Sequence, residues 1–396
     1  MSDDLAYLGI VEAGKLFAAR KLSPVELTDA LLVRCERLDP ALHAFIRLMP
    51  DEARAAARTA EAEFAAGRIA GPMQGIPFGL KDIIDLQGVA TTCHSKIFAD
   101  HVATSDADVT RRLKAGGGVP FGKLATHEFA IGGPSFDLPW PPAVNPWGGA
   151  HFPGGSSSGS GVAVTSGMLP AALGTDTGGS VRNPASMCSI VGMKATYGRV
   201  SRAGVFPLAY SLDHVGPMTR TVADNAVLLQ VLAGHDPGDP ASADVTVPDF
   251  SAEIGMDLKG LTIGHVRHFY DGDETAHPEM AAAVEKAAET LRELGADVRE
   301  IRLAPLQDYA TCNRTIIGAE AYAIHRRFLQ ERPGDYGELA RQRILNGAGI
   351  TAADYIDALR WRARLVAETQ SAMAGLDCIL TASSLDPAPR LDDAEG

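Results

Sequence analysis

The stretch that most constrains this chain is residues 153–184, where two turns rich in glycine and serine flank an apolar run. The first turn spans residues 154–161 and the second spans residues 174–180. Because glycine has no side chain, the backbone amides of both turns can come close to a bound group. The run between them, residues 162–173, carries no charge and is long enough to predict a buried helix. The stretch therefore predicts a polar pocket on a rigid apolar support.

Length and charge limit the class of protein. Of the 396 residues 46% are hydrophobic, which allows a large core. The formal net charge of −13 argues against a nucleic-acid or anionic-membrane surface and favours small-molecule partners. The N-terminus is acidic where a signal peptide would be basic, and no apolar run reaches the roughly 20 residues of a membrane span. We therefore predict a cytoplasmic protein that contacts neither nucleic acid directly nor a membrane.

The five cysteines are scattered and never form a CxxC pair, so reduced thiols are the simplest interpretation. Cys93 beside His94 could be a nucleophile with its base, although adjacent residues in a strand point to opposite faces. Residues 117–123 nearly spell a phosphate-binding loop. Leu124 follows them, however, where such a loop needs a serine or threonine to hold the metal, and we reject this interpretation.

Alternating strand and helix patterns predict an α/β fold. Helical spacing over residues 8–37 and 50–66 indicates an N-terminal helical arm, and apolar β-branched residues over 75–85 indicate a core strand. After a strand near residue 261, a helix over 278–294 and a strand over 296–301 give a β-α-β rhythm. This rhythm is typical of parallel strand pairing.

Three interpretations of the two turns are open at this point. Residues 155–159 fit the G-x-S-x-G nucleophile elbow, but no strand can precede them and no histidine follows His325. The turns could instead bind a phosphate through backbone amides, which leaves the serines unexplained. A serine could also be activated by a lysine whose pKa is lowered by burial. Lys81 lies in the predicted core strand and fits this role, although taken alone it would be expected to pair with Asp82 or reach the surface.

Five motifs resemble those of a known family, the amidase signature hydrolases. They are GIPFGLKD (75–82), PGGSSSGS (153–160), GTDTGGSVRNPA (174–185), VGMKATYGRVSR (191–202) and LDHVGPMTRTVADNA (212–226). The motifs stand in the family's order, and the resemblance runs from about residue 20 to residue 385. It implies an α/β fold with a central mixed, twisted β-sheet covered by helices on both faces.

The resemblance also implies one amidase domain over residues 1–396. Its expected parts are the N-terminal helical arm at 1–70, the signature core at 71–230 and an αβ and helical remainder at 231–396. The C-terminal part of the family fold is expected to be missing, because family members usually continue past the strand near Cys378.

A Ser-cisSer-Lys triad follows from the same resemblance. It implies Lys81 as the base, Ser156 as the bridging serine and Ser180 as the nucleophile that becomes acylated. The backbone amides implied as the oxyanion hole are those of Thr177, Gly178, Gly179 and Ser180. The residues implied as a supporting shell are Ser157, Asp176 and Arg182. No metal or organic cofactor is implied.

Aromatic residues near the first turn favour an apolar acyl pocket, and simple packing of the loop explains them equally well. The candidate substrate-binding residues are Phe129, Phe136, Trp140, Phe152 and Arg343. Arg343 is included because the chain is also similar to the A-type subunit of glutamyl-tRNA amidotransferase, in which an arginine near this position would bind glutamine. The similar segments are TTCHSK (91–96) and TYGRVSRAG (196–204).

We predict an amidase that converts a small apolar or aryl amide to an acid plus ammonia or an amine, through an acyl-serine intermediate. One alternative is a glutaminase or amidotransferase A-type subunit that supplies ammonia from glutamine. A different class of alternative is a catalytically silent protein that binds a small molecule. The oligomeric state stays open, with a homodimer as one choice.

Overall fold

In the computed structural model, which describes residues 3–393, helices and strands alternate along the chain. The helices are α1 (Ile10–Ala18), α2 (Pro24–Leu42), α3 (Pro50–Ala65), α4 (Asp108–Ala115), α5 (Ser158–Thr165), α6 (Arg182–Met187), α7 (Val222–Leu232), α8 (Pro278–Glu293), α9 (Leu306–Glu331), α10 (Glu338–Leu345) and α11 (Ala352–Ala372). The strands are β1 (Phe45–Leu48), β2 (Pro77–Lys81), β3 (Val119–Leu124), β4 (Ala171–Asp176), β5 (Val191–Gly192), β6 (His214–Thr219), β7 (Thr262–His265), β8 (Asp297–Glu300) and β9 (Cys378–Leu380). Within the described range, none of the helices is long and apolar enough to cross a membrane.

The described chain divides into two compact units. The first contains the residues up to Ala252, the segment Ile324–Arg343 and the residues from Arg390. The second contains Glu253–Ala323 and Ile344–Pro389. The single domain and its internal boundaries at residues 70 and 230 stay predictions.

A mixed six-stranded sheet forms the first unit, with its strands in the order β1-β3-β2-β4-β6-β5. β2 pairs in parallel with both β3 and β4, whereas β4 pairs with β6 and β1 pairs with β3 in the antiparallel sense. Every residue of β2 and β4 is buried. The predicted core strand that contains Lys81 is therefore confirmed, and it lies inside the sheet.

The second unit has a parallel three-stranded sheet in the order β8-β7-β9. Parallel neighbours need a crossover connection, and α8 supplies it between β7 and β8. The β-α-β rhythm predicted for this part of the chain is confirmed.

Two predicted helices have different bounds in the structure. The run 162–173 is not one helix, because α5 begins earlier at Ser158 and the second half of the run enters β4. Both elements are buried on all sides, so their apolar residues show no period that separates helix from strand. The predicted helix 8–37 is broken into α1 and α2 near Arg20, which has a φ of 54°. A capping box formed by Ser23 and Glu26 begins α2.

Candidate active site

Lys81 is the last residue of β2, and its side chain is fully buried. Its Nζ lies 2.7 Å from Ser156 Oγ and 2.7 Å from Thr175 Oγ1. Burial lowers the pKa of Lys81 to about 7, although the carboxylates of Asp176 and Asp213 oppose this shift. Near neutral pH a large fraction of the amine is therefore unprotonated. A neutral amine in this position can accept the proton of the Ser156 hydroxyl.

A second buried lysine, Lys123, forms an ion pair with Asp82, the residue that follows Lys81 in the chain. Lys123 Nζ lies 2.8 Å from Asp82 Oδ1, and neither side chain has any exposed surface. It also donates to Thr91 Oγ1 over 2.8 Å. Lys123 pairs with Leu80 in the parallel register, so the two lysines leave the sheet on opposite faces. The alternative in which Asp82 neutralises Lys81 is therefore wrong.

Backbone contacts fix the first turn around Ser156. The peptide bond between Gly155 and Ser156 is cis. The Gly155 amide donates to Asn183 Oδ1 over 3.0 Å, and the Ser156 carbonyl accepts from the His127 amide over 3.1 Å. A Cβ on Gly155 would lie 2.0 Å from the His127 ring, so this close approach requires glycine. Ser156 is held beneath the surface, beside Lys81.

The second turn wraps around the buried carboxylate of Asp176, at the end of β4. The amides of Gly179 and Val181 donate to Asp176 over 2.8 and 3.2 Å. The Arg182 guanidinium binds both carboxylate oxygens, at 3.0 and 2.9 Å. Burial acts to raise the pKa of Asp176, but the bonds from Arg182 and the amides outweigh it and lower the pKa. The carboxylate stays ionised and orders the turn that carries Ser180.

One implied oxyanion donor is already engaged in this arrangement. The resemblance implies the Gly179 amide as a donor, yet this amide donates to Asp176. Because the Gly179 N–H points at this carboxylate, it stabilises the turn and is not directed at a bound substrate. The amides of Thr177, Gly178 and Ser180 stay as predicted donors.

Ser157 joins the two turns. Its amide donates to the Ser180 carbonyl over 3.2 Å. Its hydroxyl donates to the Thr175 carbonyl and accepts from the Thr175 amide, each over 3.2 Å. A Cβ on Gly174 would lie 2.6 Å from Ser157 Oγ, so glycine makes room for this contact. These bonds place Ser156 and Ser180 on adjoining turns.

Thr175 is a site residue that the sequence motifs did not single out as a partner of Lys81. Its hydroxyl is the second hydrogen-bond partner of Nζ, at 2.7 Å. As a neutral amine, Lys81 can donate to Thr175 while it accepts from Ser156, so Thr175 can orient the lone pair toward the serine. The sequence feature that could have indicated Thr175 is its hydroxyl, since the rest of the buried strand is apolar up to Asp176.

Two of the predicted substrate-binding residues are packed inside the first unit. The Phe129 ring lies 5.2 Å from the ring of Phe206 and 4.5 Å from that of His325. Phe152 stacks on His127 with the ring centres 5.8 Å apart. These contacts agree with the alternative in which the aromatic residues pack the loop.

The other three lie nearer the surface. Phe136 is 55% exposed, Arg343 is exposed in the last turn of α10, and Trp140 meets the His94 ring edge-on at 5.8 Å. None of the five predicted residues lines a cavity of about 470 Å³ that reaches Thr177. Their role in substrate binding stays a prediction.

Cys93 does not carry a reactive thiol. The residue is buried, and burial raises the pKa of the thiol well above its usual value. Both ring nitrogens of His94 are engaged, Nε2 at 3.0 Å from the Trp140 carbonyl and Nδ1 at 3.4 Å from the Thr126 amide. The alternative of a Cys93–His94 nucleophile is therefore not supported.

Comparison with known proteins identifies relatives over most of the chain. The Amidase family matches residues 26–396. The A-type subunit of the glutamyl-tRNA(Gln) amidotransferase from Roseiflexus castenholzii is 43% identical over 381 residues, which are 91% of this chain and 77% of the relative.

Solved structures have the same fold. One is described as a vestigial protein complex that reveals the evolutionary origins of an s-triazine catabolic enzyme. It has a TM-score of 0.91 at 31% identity, over 97% of this chain and 83% of that one. The native peptide amidase from Stenotrophomonas maltophilia has a TM-score of 0.83 at 29% identity, over 97% of this chain and 87% of that one. The α/β fold and the family resemblance drawn from the five motifs are confirmed. The chain belongs to the amidase family, the amidase signature hydrolases, and is an enzyme that acts on amides.

Proposed function

We propose that this chain hydrolyses carboxylic amides through an acyl-enzyme on Ser180, with Ser156 as a proton bridge and Lys81 as the base. The observation that carries the proposal is the 2.7 Å contact between Nζ of the fully buried Lys81 and Ser156 Oγ. A lysine whose pKa is about 7 and whose hydrogen-bond partners are hydroxyls is suited to act as a general base.

In the first half of the reaction, Lys81 takes the proton of Ser156, and Ser156 takes the proton of Ser180. The Ser180 oxygen bonds to the amide carbon, and the C–N bond breaks as the proton returns through Ser156 to the departing nitrogen. Water then attacks the ester carbon by the same proton path, which releases the acid and restores the Ser180 hydroxyl. The proposed donors to the oxyanion are the amides of Thr177, Gly178 and Ser180.

Mass spectrometry of a quenched reaction tests the proposal. Because no lysine or arginine lies between Lys123 and Arg182, both serines fall in the single tryptic peptide 124–182. We expect this peptide to gain the mass of the acyl group during turnover, and fragmentation to place the group on Ser180. An acyl group on Ser156, or turnover without any acylated peptide, would contradict the mechanism.

Activity is expected to fall at acid pH. The pKa of Lys81 is about 7, so the amine gains a proton as the pH drops through this value and can no longer accept one from Ser156. We expect kcat/KM to fall by about tenfold for each pH unit below the pKa. The measurement is a pH profile from about pH 5 to 9 at constant ionic strength. A profile that stays flat down to about pH 5 would exclude a neutral lysine base.

The release of ammonia from glutamine is a second candidate function. It is supported by the 43% identity to a protein named as part of an amidotransferase. Purification together with partner subunits would favour this candidate, whereas turnover of simple amides by the isolated chain would favour the small apolar or aryl amide. The cytoplasmic location and the homodimer stay predictions from the sequence.

A further inference from the structure

We propose that a cavity of about 470 Å³ beside the second turn binds the acyl group of the substrate, and that this group is apolar and uncharged. The inference rests on the amide hydrolysis proposed above and names the substrate class for that site.

The cavity adjoins the proposed catalytic residues through two threonines, Thr175 and Thr177. Thr175 Oγ1 lies 2.7 Å from Lys81 Nζ. Thr177 is the first residue after β4, and the second turn continues from it through the exposed Gly178 to Ser180. A group held in the cavity therefore lies next to the residues around which the acyl-enzyme would form.

Most of the cavity wall is apolar. One loop, residues 203–208, supplies a large part of it, including Val205 and Leu208, and the buried residues Ile83 and Val215 extend it. The volume falls within the range of about 300–1,000 Å³ that is usual for small-molecule sites. Burying apolar ligand surface in such a cavity is favourable because it removes that surface from water.

Arg202 and Asp239 line the cavity but neutralise each other. The Arg202 Nε and Nη2 atoms lie 3.0 and 2.9 Å from the two carboxylate oxygens of Asp239, and Nη1 donates to the Tyr210 carbonyl. Burial acts to raise the pKa of Asp239, yet the bonds from Arg202 and the backbone lower it to about 2. The guanidinium is therefore committed to this carboxylate and is not available to a carboxylate on the substrate.

Asp213, the other carboxylate at the cavity, is saturated with hydrogen bonds. Its oxygens accept from the Thr177 hydroxyl over 2.6 Å, from the Leu208 amide over 2.9 Å and from the Ala209 amide over 3.1 and 3.0 Å. Burial lowers the pKa of His214, so this ring is neutral at pH 7. Among the residues described for this wall, Arg202 and Asp239 form an ion pair, and the carboxylate of Asp213 is bound by a hydroxyl and backbone amides. The α-ammonium and α-carboxylate groups of glutamine would have to displace these bonds.

A charge placed in the wall tests the proposal. Val205→Lys introduces a cation at a half-buried position of the cavity, and Val33→Lys introduces the same cation on the exposed side of α2 as a matched control. kcat/KM is measured for hexanamide and for glutaramate, the monoamide whose chain ends in a carboxylate. We expect wild type and Val33→Lys to prefer hexanamide by about tenfold or more, and Val205→Lys to shift this ratio by about tenfold or more toward glutaramate.

A wild-type preference for glutaramate or glutamine over hexanamide would overturn the proposal. So would an unchanged ratio in a folded Val205→Lys variant. If that variant does not fold, Val205→Trp narrows the cavity instead. It should reduce kcat/KM for hexanamide by about tenfold or more relative to acetamide, and equal losses would count against the cavity.

A serine-directed reagent separates this proposal from the one on which it rests. Phenylmethanesulfonyl fluoride should label Ser180 in wild type whenever the nucleophile is activated. Labelling together with an unchanged substrate ratio would refute the cavity assignment alone. Failure of both labelling and turnover would refute the hydrolytic mechanism.

Discussion

Replacement of Ser180 by alanine is expected to abolish amide hydrolysis while the protein stays folded. The variant lacks the oxygen that would bond to the substrate carbonyl, and loss of a serine nucleophile typically lowers kcat by roughly 10⁶-fold. Ser180 is half-buried and contacts the first turn through its carbonyl, which alanine retains. The melting temperature should therefore stay close to that of wild type. The measurement is steady-state turnover combined with thermal unfolding followed by circular dichroism.

Ser186→Ala is the matched control for this experiment. It makes the same chemical change at an exposed position of α6, six residues after Ser180. We expect it to retain normal turnover. If Ser180→Ala kept near-normal activity instead, the nucleophile would lie elsewhere, and the G-x-S-x-G pattern centred on Ser157 would become the leading alternative.

Lys81→Met is expected to abolish hydrolysis and also to raise the stability of the fold. Methionine has a similar length and no charge, so it fills the same buried space. The pKa of Lys81 falls from 10.5 to about 7 on folding, so the native state carries a buried charge below pH 7 that the unfolded chain exposes to water. Removing that charge should stabilise the protein by on the order of several kcal/mol, less the loss of two hydrogen bonds to hydroxyls.

The pH dependence of this stabilisation has a definite sign. Between about pH 7 and pH 10.5 the unfolded chain binds more protons at Lys81 than the native state does, so wild-type stability rises with pH in this window. The advantage of Lys81→Met is therefore greatest below about pH 7 and fades toward pH 10.5. Melting temperatures of both proteins at about pH 6 and 9 measure it. A variant that is less stable than wild type at the lower pH would contradict the buried, partly neutral amine.

Lys123→Met provides the contrast on the other face of the sheet. It leaves Asp82 buried without its ion-pair partner, and breaking a buried pair in this way costs about 3–5 kcal/mol. We expect a lower melting temperature and nearly normal turnover in the folded fraction. Loss of activity at a temperature where the variant is folded would mean that the two lysines are not independent.

A lysine within an apolar, β-branched stretch is rare, and this made Lys81 a candidate base, although its role in the triad was implied only by the family resemblance. The pairing of Asp82 with Lys123 could not be identified in this way. It depends on the parallel register of β2 against β3, and this register has no signature in either strand alone. The sequence therefore suggested Asp82 as a partner of Lys81, whereas its partner in the structure is Lys123.

The proposed acyl cavity could not be predicted from the sequence either. Aromatic residues that cluster along the chain need not share a cavity, and Phe129 and Phe152 pack against other rings instead. The cavity wall includes residues 203–208 and Asp239. Asp239 lies in a segment rich in Asp, Pro and Gly, a composition that is typical of a surface loop. Such a wall is assembled by tertiary packing, which sequence spacing does not encode.

Asp213 connects the cavity wall to the second turn, since the amides of Leu208 and Ala209 and the hydroxyl of Thr177 all donate to its carboxylate. Neither segment can move alone without breaking a hydrogen bond to this carboxylate, at a cost of about 1–3 kcal/mol. The cavity therefore has its shape before any ligand binds. The conformational entropy of the wall is lost during folding. The free energy of binding an amide therefore does not include the entropic cost of ordering a flexible loop.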